Sequence, residues 1–236
     1  MHIIIGSVAI SIAVGAGGDA DQDGAMEQIR STPVGGAVLW AIAIGLITLA
    51  VWQIASGMLA RGDNAPKKWG QRVKLLGIAA AYLVIAGMAL IYAFGGTADS
   101  EQASQALSAI LLSAPGGVVL LILVGLGVIG VGIGFIGGGV TGGFVKTLDL
   151  PHGAVRGWVV PLGVAGYLAK GVAVAVTGVL FVVAAWTHDP DKAAGLDAAL
   201  RSLIDLPFGR IVLWVVGAGL VIYGVFCLVR ARFAKM

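Results

Sequence analysis

Six runs of apolar residues, separated by short polar segments, occupy most of the chain. Most of these runs approach or exceed about 20 residues, the length at which an α-helix crosses a bilayer. A backbone inside lipid must satisfy its own hydrogen bonds, so each run predicts a helix. The pattern therefore predicts an all-α, polytopic membrane bundle with six transmembrane helices. The predicted spans are residues 2–16, 34–59, 73–95, 115–137, 158–186 and 208–230.

Composition excludes an ordinary water-soluble domain. Hydrophobic residues make up 58% of the chain, charged residues only 11%, and the mean hydropathy is +0.99. Soluble domains carry roughly 25% charged residues. The formal net charge of +3 is modest and its bases fall mainly in connecting segments, so they indicate topology and not a nucleic-acid surface. The single cysteine, Cys227, excludes an intramolecular disulfide.

A proline-x-glycine corner precedes three of the six runs. Superposing the first corner on the third places Trp40 on Trp214 and Gly45 on Gly219. The sequence therefore predicts one two-helix unit used three times within a single membrane domain, 1–236. The three corners are Pro33 with Gly35, Pro115 with Gly117, and Pro207 with Gly209. The predicted repeats cover residues 1–62, 70–146 and 156–236.

A short amphipathic segment comes before each corner. In the third repeat, Leu196, Leu200 and Leu203 fall on one face at helical spacing. Asp189 followed by Pro190 is a favourable N-cap and first-turn pair for a helix start. These segments are expected to lie flat on the outer membrane surface with their apolar side down.

The connections alternate in charge. Residues 60–72, residues 138–157 and the C-terminal tail are basic, whereas the other three connections are acidic. The positive-inside bias then places both termini and the two basic loops in the cytoplasm. Because each unit contains two spans, the three units share one orientation. Parallel repeats of this kind predict a pseudo-threefold axis along the membrane normal.

The first run is short and follows Met1 without a basic segment of the kind that opens a signal peptide. We therefore expect the chain to begin inside its first helix. An earlier start codon and a short or tilted first span are the two alternatives, and N-terminal sequencing would separate them.

Three segments together resemble one known family. They are Ala-Asp-Gln-Asp-Gly-Ala at 20–25, the Leu-Trp pairs at 39–40 and 213–214, and Gly-Tyr-Leu-Ala-Lys-Gly at 166–171. The chain resembles the bacterial family called domain of unknown function 1206, in three copies that cover nearly its whole length. The resemblance implies a six-span protein of the bacterial inner (plasma) membrane and brings no activity, ligand or catalytic residue. The middle copy departs from the pattern, with Ile122 in place of the tryptophan.

Glycine recurs every four residues in the fourth predicted span, at Gly130, Gly134, Gly138 and Gly142. Such a bare stripe lets two helices approach closely. Contact within the bundle is the favoured interpretation, a homo-oligomer interface is the second, and a backbone-lined pathway is the third. The run 137–143 lacks the strand context and the Gly-Lys-Ser/Thr ending of a phosphate loop.

Lys170 is the only base predicted well inside a span and away from its ends, and no carboxylate lies deep in one. Intramembrane carboxylates are the usual sign of proton or cation relays, so this distribution counts against such a pump. Snorkelling of Lys170 to the headgroups is the simpler interpretation. Contact with an anion or a lipid headgroup at a cytoplasmic vestibule is the alternative.

The polar loops contain no strong catalytic or metal pattern. His188, Asp189 and Asp191 form too loose a set for a metal site, and the alternating aspartates of the first loop lack the other ligands of a calcium loop. No Ser-His-Asp or Cys-His arrangement is evident. We therefore expect no enzyme activity, no cofactor and no metal.

These patterns favour a non-enzymatic structural, accessory or scaffold subunit in the lipid bilayer. Its expected partner is another membrane protein or a second copy of the chain. We expect no binding to nucleic acid. A basic partner would dock on the acidic outer helices. The alternative function is a transporter or channel for a small neutral or anionic solute, or a lipid, along the pseudo-threefold axis. A membrane-embedded enzyme ranks third.

Overall fold

The computed structural model describes residues 1–59, 65–148, 154–193 and 195–233. These residues form helices and no strand, which confirms the all-α prediction for this part of the chain. The helices are α1 (His2–Ala13), α2 (Gln22–Arg30), α3 (Gly35–Met58), α4 (Ala65–Ala93), α5 (Ser100–Ser113), α6 (Gly117–Val140), α7 (Ala154–Thr187), α8 (Leu196–Ser202) and α9 (Gly209–Phe233). Short 3₁₀ turns cover Gly143–Thr147, Pro190–Lys192 and Leu203–Asp205.

Five helices of the described chain are long and apolar enough to cross a membrane: α3, α4, α6, α7 and α9. The first predicted span is shorter than expected. Helix α1 has 12 residues, which corresponds to about 18 Å of rise against the roughly 30 Å of a hydrocarbon core. It ends at Ala13 because Gly15, Gly17 and Gly18 all adopt positive φ, which an α-helix does not accommodate.

The long helices present large apolar side chains outward. Only 17–44% of the residues in their most apolar stretches are buried within the protein. Such a surface would be unfavourable in water and is ordinary in lipid, so the fold indicates a membrane protein. All six tryptophans are exposed, as expected of residues that anchor a protein at a membrane interface: Trp40, Trp52, Trp69, Trp158, Trp186 and Trp214.

The chain forms two compact units. The first comprises Met1–Ala25 and Asp99–Met236, and the second comprises Met26–Ala98. In the first unit α1 packs on α9, α6 packs on α7, and α7 packs on α9. In the second unit α3 packs on α4. Three of these pairings, α3 with α4, α6 with α7 and α9 with α1, join the last long helix of one predicted repeat to the first helix of the next.

Glycine allows the helices of the first unit to touch backbone to backbone. A Cβ added at Gly132 would lie 2.7 Å from Gly171 O and from Ala175 N of α7. Gly166 of α7 meets the backbone of Tyr223 on α9 equally closely. Real Cβ atoms do not approach backbone atoms to this distance, so these contacts require glycine.

The three corners share one hydrogen bond, although their backbones differ at the residue before the glycine, where φ is −104° at Val34, +79° at Gly116 and +62° at Phe208. The amide of each corner glycine donates to the carbonyl three residues earlier, at 2.8–2.9 Å. A Cβ on any of the three glycines would collide with a carbonyl at the end of the preceding outer helix. The pairs are Gly35 with Ile29, Gly117 with Leu111, and Gly209 with Leu203. The same steric requirement thus explains the glycine of all three corners.

Candidate functional site

Polar side chains of the first unit meet where the short helices α2, α5 and α8 begin. We call this set the outer polar layer. It lies beyond the ends of the long helices and is built from loops and short helices of all three repeats. Its members are Asp21, Asp23, Ser100, Ser104, Gln105, Asp197 and Arg201.

The segment 20–25 supplies the first part of the layer. Asp21 precedes α2 and accepts a hydrogen bond from the Gly24 amide at 2.9 Å, which is N-cap geometry. A side chain at Gly24 would collide with the Asp19 carbonyl, so the tight entry to the helix requires glycine there. Asp23 reaches forward to the second repeat, where it accepts from the Ser100 amide at the start of α5.

The second repeat in turn reaches the third. Ser104 Oγ donates to the Ala193 carbonyl at 2.6 Å, and Gln105 Nε2 donates to the Asp191 carbonyl at 3.3 Å. Both acceptors lie in the segment that leads into α8. The start of α5 itself is capped by Asp99, which accepts from the Gln102 amide.

The third repeat returns to the first. Asp197 accepts from the Ala20 amide at 2.7 Å and from Arg201 Nε at 2.5 Å. Arg201 also donates to the Gly18 carbonyl and lies 3.4 Å from Asp19. The links therefore run from repeat 1 to repeat 2, from 2 to 3, and from 3 back to 1. Aligning the three corner prolines places Asp23, Gln105 and Asp197 at one common position.

Three carboxylates of the layer are buried, and their charges are balanced unequally. Asp197 is paired with Arg201, and this bond raises the pKa of the guanidinium. Burial raises the pKa of the Asp21 carboxyl, and the charges of Asp23 and Asp197 add to the effect. Asp23 Oδ1 is buried and has no hydrogen-bond partner within the described part of the chain. Burial also raises the pKa of Glu101 nearby.

The layer does not have the geometry of a metal centre. Among the described residues, no group of three or more His, Cys, Asp or Glu side chains is arranged to hold a metal ion. The sequence predicts that Asp189 and Pro190 start the third amphipathic helix, but Asp189 caps a separate 3₁₀ turn that begins at Pro190, and α8 begins only at Leu196. Lys192 lies 3.7 Å from the same carboxylate.

Lys170 lies among aromatic rings in the first unit. Its ammonium is 4.6 Å from the ring centroid of Phe135 on α6 and 4.5 Å from that of Tyr223 on α9. It also donates to the Tyr223 hydroxyl at 3.3 Å, and the His2 ring packs edge-on against Tyr223. The side chain is half-buried and forms cation–π contacts of a kind that stabilise a partly desolvated charge. Its contact with an anion or a headgroup stays a prediction.

The structure separates the four glycines of the predicted packing stripe. A Cβ added at Gly138 would lie 3.5 Å from the Tyr167 ring. Gly142 lies past the end of α6 and has φ +62°. In the described chain, a Cβ at Gly130 or Gly134 would meet no atom within 4 Å. A packing role for these two glycines inside the bundle has no contact to support it, and their role stays a prediction.

Close packing of α6 on α7 follows a different spacing. Added Cβ atoms would contact α7 at three glycines seven residues apart, which are Gly125, Gly132 and Gly139. Positions four residues apart drift by about 40° around a helix, whereas positions seven apart drift by only about 20°. A contact that extends over several turns therefore follows the seven-residue spacing. The recurrence of glycine at 125, 132 and 139 was the pattern in the sequence that could have predicted this contact.

The described residues form an all-helical fold with five apolar helices of membrane-spanning length and three corners that share one hydrogen bond, which indicates a membrane protein built from internal repeats. The family model of Domain of Unknown Function (DUF1206) matches residues 1–60, 73–142 and 165–234, and the chain belongs to this family. It is 30% identical over 240 residues to an uncharacterised protein, YxxB, of Bacillus subtilis (strain 168). That alignment covers all of this chain and 87% of the relative. No solved structure matches the chain.

Proposed function

We propose that the chain is a non-enzymatic scaffold or accessory subunit of the bacterial inner membrane, which holds a membrane-protein partner or a second copy of itself. Six crossings in three parallel repeats, a pseudo-threefold axis, outer amphipathic helices and cytoplasmic termini belong to this proposal. The observation that carries it is that side chains of the outer polar layer bind the backbone of a neighbouring repeat. Their hydrogen bonds fasten one repeat to the next.

Each of these bonds has the same structural role. The side chains of one repeat bind the backbone just before or at the start of the next repeat's outer helix, at Ala20, Ser100 and Ala193. The three span pairings, α3 with α4, α6 with α7, and α9 with α1, follow the same order. The links run in one direction through the three predicted repeats and return to the first, which supports the pseudo-threefold arrangement.

A frame fastened in this way keeps its surfaces in fixed positions, which suits a protein that positions a partner. The test is extraction in native membrane patches followed by mass spectrometry of the intact assembly. We expect a second protein, or a further copy of the chain, at a fixed stoichiometry. An unrelated inner-membrane protein carrying the same tag controls for carry-over. A monomer that brings no protein partner would overturn the scaffold proposal.

Transport of an anionic solute or lipid is the second candidate, and Lys170 is the observation that favours it. In the described part of the chain this cation contacts aromatic rings and forms no ion pair with a carboxylate. A fixed positive charge without a counter-ion attracts anions in a region of low dielectric constant.

Uptake by liposomes that contain the purified chain tests this candidate. A transporter should lose uptake of anionic solutes in Lys170→Met and keep it in Lys192→Met, which removes a more exposed lysine from an outer turn. If liposomes that contain the wild-type protein take up no more solute than liposomes without protein, the transport candidate is eliminated.

A further inference from the structure

A pocket of about 390 Å³ lies in the second unit, where α3 ends and α4 begins. It is lined by Gly57 and Met58 of α3 and by Trp69, Arg72, Val73 and Leu76 of α4. Its walls are mostly apolar, and Arg72 is its one charged lining residue among those described. An apolar pocket with a single cation suits a ligand that has both an anionic and an apolar part.

Arg72 is incompletely satisfied in this pocket. Its Nη2 donates to the Met58 carbonyl at 3.4 Å, a long bond to the last turn of α3. Its Nε is buried and has no hydrogen-bond partner among the residues that the structure describes. A simple capping role at the negative end of α3 would account for the first bond but not for the unpaired Nε.

An unpaired buried donor costs about 1–3 kcal/mol, and more when it is charged. The fork of Nε and Nη donors in a guanidinium matches two oxygens of a phosphate or a carboxylate. An oxyanion that lies against Arg72 would supply the acceptor that its guanidinium lacks among the described residues.

The surroundings indicate which oxyanion. Trp69 is 65% exposed beside the pocket, as is usual for a tryptophan at the level of lipid headgroups. The sequence from residue 60 to residue 74, which joins α3 to the first turns of α4, is strongly basic and has one carboxylate, Asp63. The bases are Arg61, Lys67, Lys68, Arg72 and Lys74. Bases next to a membrane helix are attracted to anionic lipid by about 1 kcal/mol each.

We propose that this pocket binds the phosphate headgroup of an anionic phospholipid, with Arg72 as the phosphate ligand. The apolar walls at Val73 and Leu76 take the first carbons of an acyl chain. The inference goes beyond the scaffold proposal and requires only that α3 and α4 lie in a bilayer, since a lipid can bind whether or not a protein partner is held.

The experiment titrates the delipidated full-length chain with phosphatidylglycerol and, separately, with phosphatidylcholine, using native mass spectrometry to count bound lipids. We expect a preference for phosphatidylglycerol. Arg72→Gln should weaken that binding about ten-fold, the effect of losing one charge-assisted hydrogen bond, and leave phosphatidylcholine unchanged. The matched control is Arg210→Gln, because Arg210 also lies beside a tryptophan in a pocket, with Trp214 of α9, but is not among the side chains with a buried unpaired atom.

A second variant separates loss of binding from loss of folding. Leu76→Trp keeps the guanidinium and fills the pocket, so it should lose phosphatidylglycerol while its circular dichroism stays that of wild type. Unchanged binding in Arg72→Gln, or an equal loss in Arg210→Gln, would overturn the proposal. Displacement of the lipid by millimolar inorganic phosphate would also overturn it, because the pocket would then take a free anion.

Discussion

Two regions of the first unit hold the repeats together by different physics. Between α6 and α7 the backbones meet through glycines, and the contact depends on the absence of a Cβ at positions such as Gly132. In the outer polar layer, carboxylates such as Asp197 bind backbone amides, and the contact depends on charge and hydrogen bonding. The first kind of contact fails when volume is added, whereas the second kind changes with the charge that surrounds it.

The outer polar layer also varies within itself. Asp23 and Asp197 occupy the same position in their repeats, and each accepts from a backbone amide of another repeat. Four residues later the third repeat has Arg201, which pairs with Asp197. The first repeat has Glu27 at that place, and Glu27 pairs with Arg30 instead. One aligned residue thus decides whether a buried carboxylate has its charge balanced.

The largest effect is expected from adding one methyl group to α6. Gly132→Ala places a Cβ 2.7 Å from backbone atoms of α7, which cannot withdraw as a flexible side chain would. We expect a loss of about 2 kcal/mol or more in stability, or about 5 °C in the unfolding temperature in detergent.

The matched control for this change is Gly134→Ala, two residues further along the same helix. Its Cβ meets nothing within 4 Å in the described chain, so stability should stay within about 0.5 kcal/mol of wild type. Equal losses in the two variants would show that α6 packs through the other face as well. If Gly134→Ala changes the oligomer size but not the stability, the result would favour the interpretation that this glycine lies at an interface between copies of the chain.

An intermediate effect is expected at Arg201. Arg201→Gln leaves Asp197 buried without its cation, and the partial exposure of the guanidinium reduces the cost to about 1–2 kcal/mol. Adding Asp197→Asn should recover most of the loss, because the neutral amide keeps an acceptor for the Ala20 amide. Thermal unfolding of both single variants and the double variant measures this coupling. Strictly additive losses would contradict it.

Much of the architecture could be predicted from one sequence because the repeat provides internal comparison. The corner prolines and glycines recur at matching positions, and the steric reason for the glycine is the same at Gly35, Gly117 and Gly209. The family resemblance drawn from the segment 20–25 and the Leu-Trp pairs is confirmed by the three matches of the family model. The first helix ends three residues before the predicted limit of the span 2–16, and a short first span was one of the alternatives that the sequence left open.

The links of the outer polar layer were harder to foresee. Asp197 and Arg201 show the four-residue spacing of a helical ion pair, yet nothing local predicts that the same carboxylate also binds Ala20. Ser104 and Gln105 carry no charge and therefore no signal of a link to the third repeat. These contacts join residues that are far apart in the sequence. They form only because the helices of different repeats pack together, and no local sequence pattern predicts which residues then meet.

The smallest effect, and the one with the opposite sign, is expected at Asp21. Burial raises the pKa of this carboxyl above its ordinary value of about 4, so the folded state binds its proton more tightly than the unfolded state does. The protonated Asp21 carboxyl therefore contributes stability that is fully present below the pKa of the unfolded chain. This contribution is lost as the pH rises through the higher pKa of the folded state. At neutral pH the buried charge therefore opposes folding, and Asp21→Asn should stabilise the protein by roughly 0.5–1 kcal/mol.

The pH dependence distinguishes this explanation from a simple change of packing. The asparagine retains an acceptor for the Gly24 amide and gains an N–H near Asp23, while Ser100 can reverse its hydroxyl. Its advantage over wild type should shrink as the pH is lowered toward 4, because the wild-type carboxyl is then protonated. Thermal unfolding across that range measures the difference, with Asp205→Asn as an exposed control on the same side. An advantage that stays constant with pH would show that charge is not its cause.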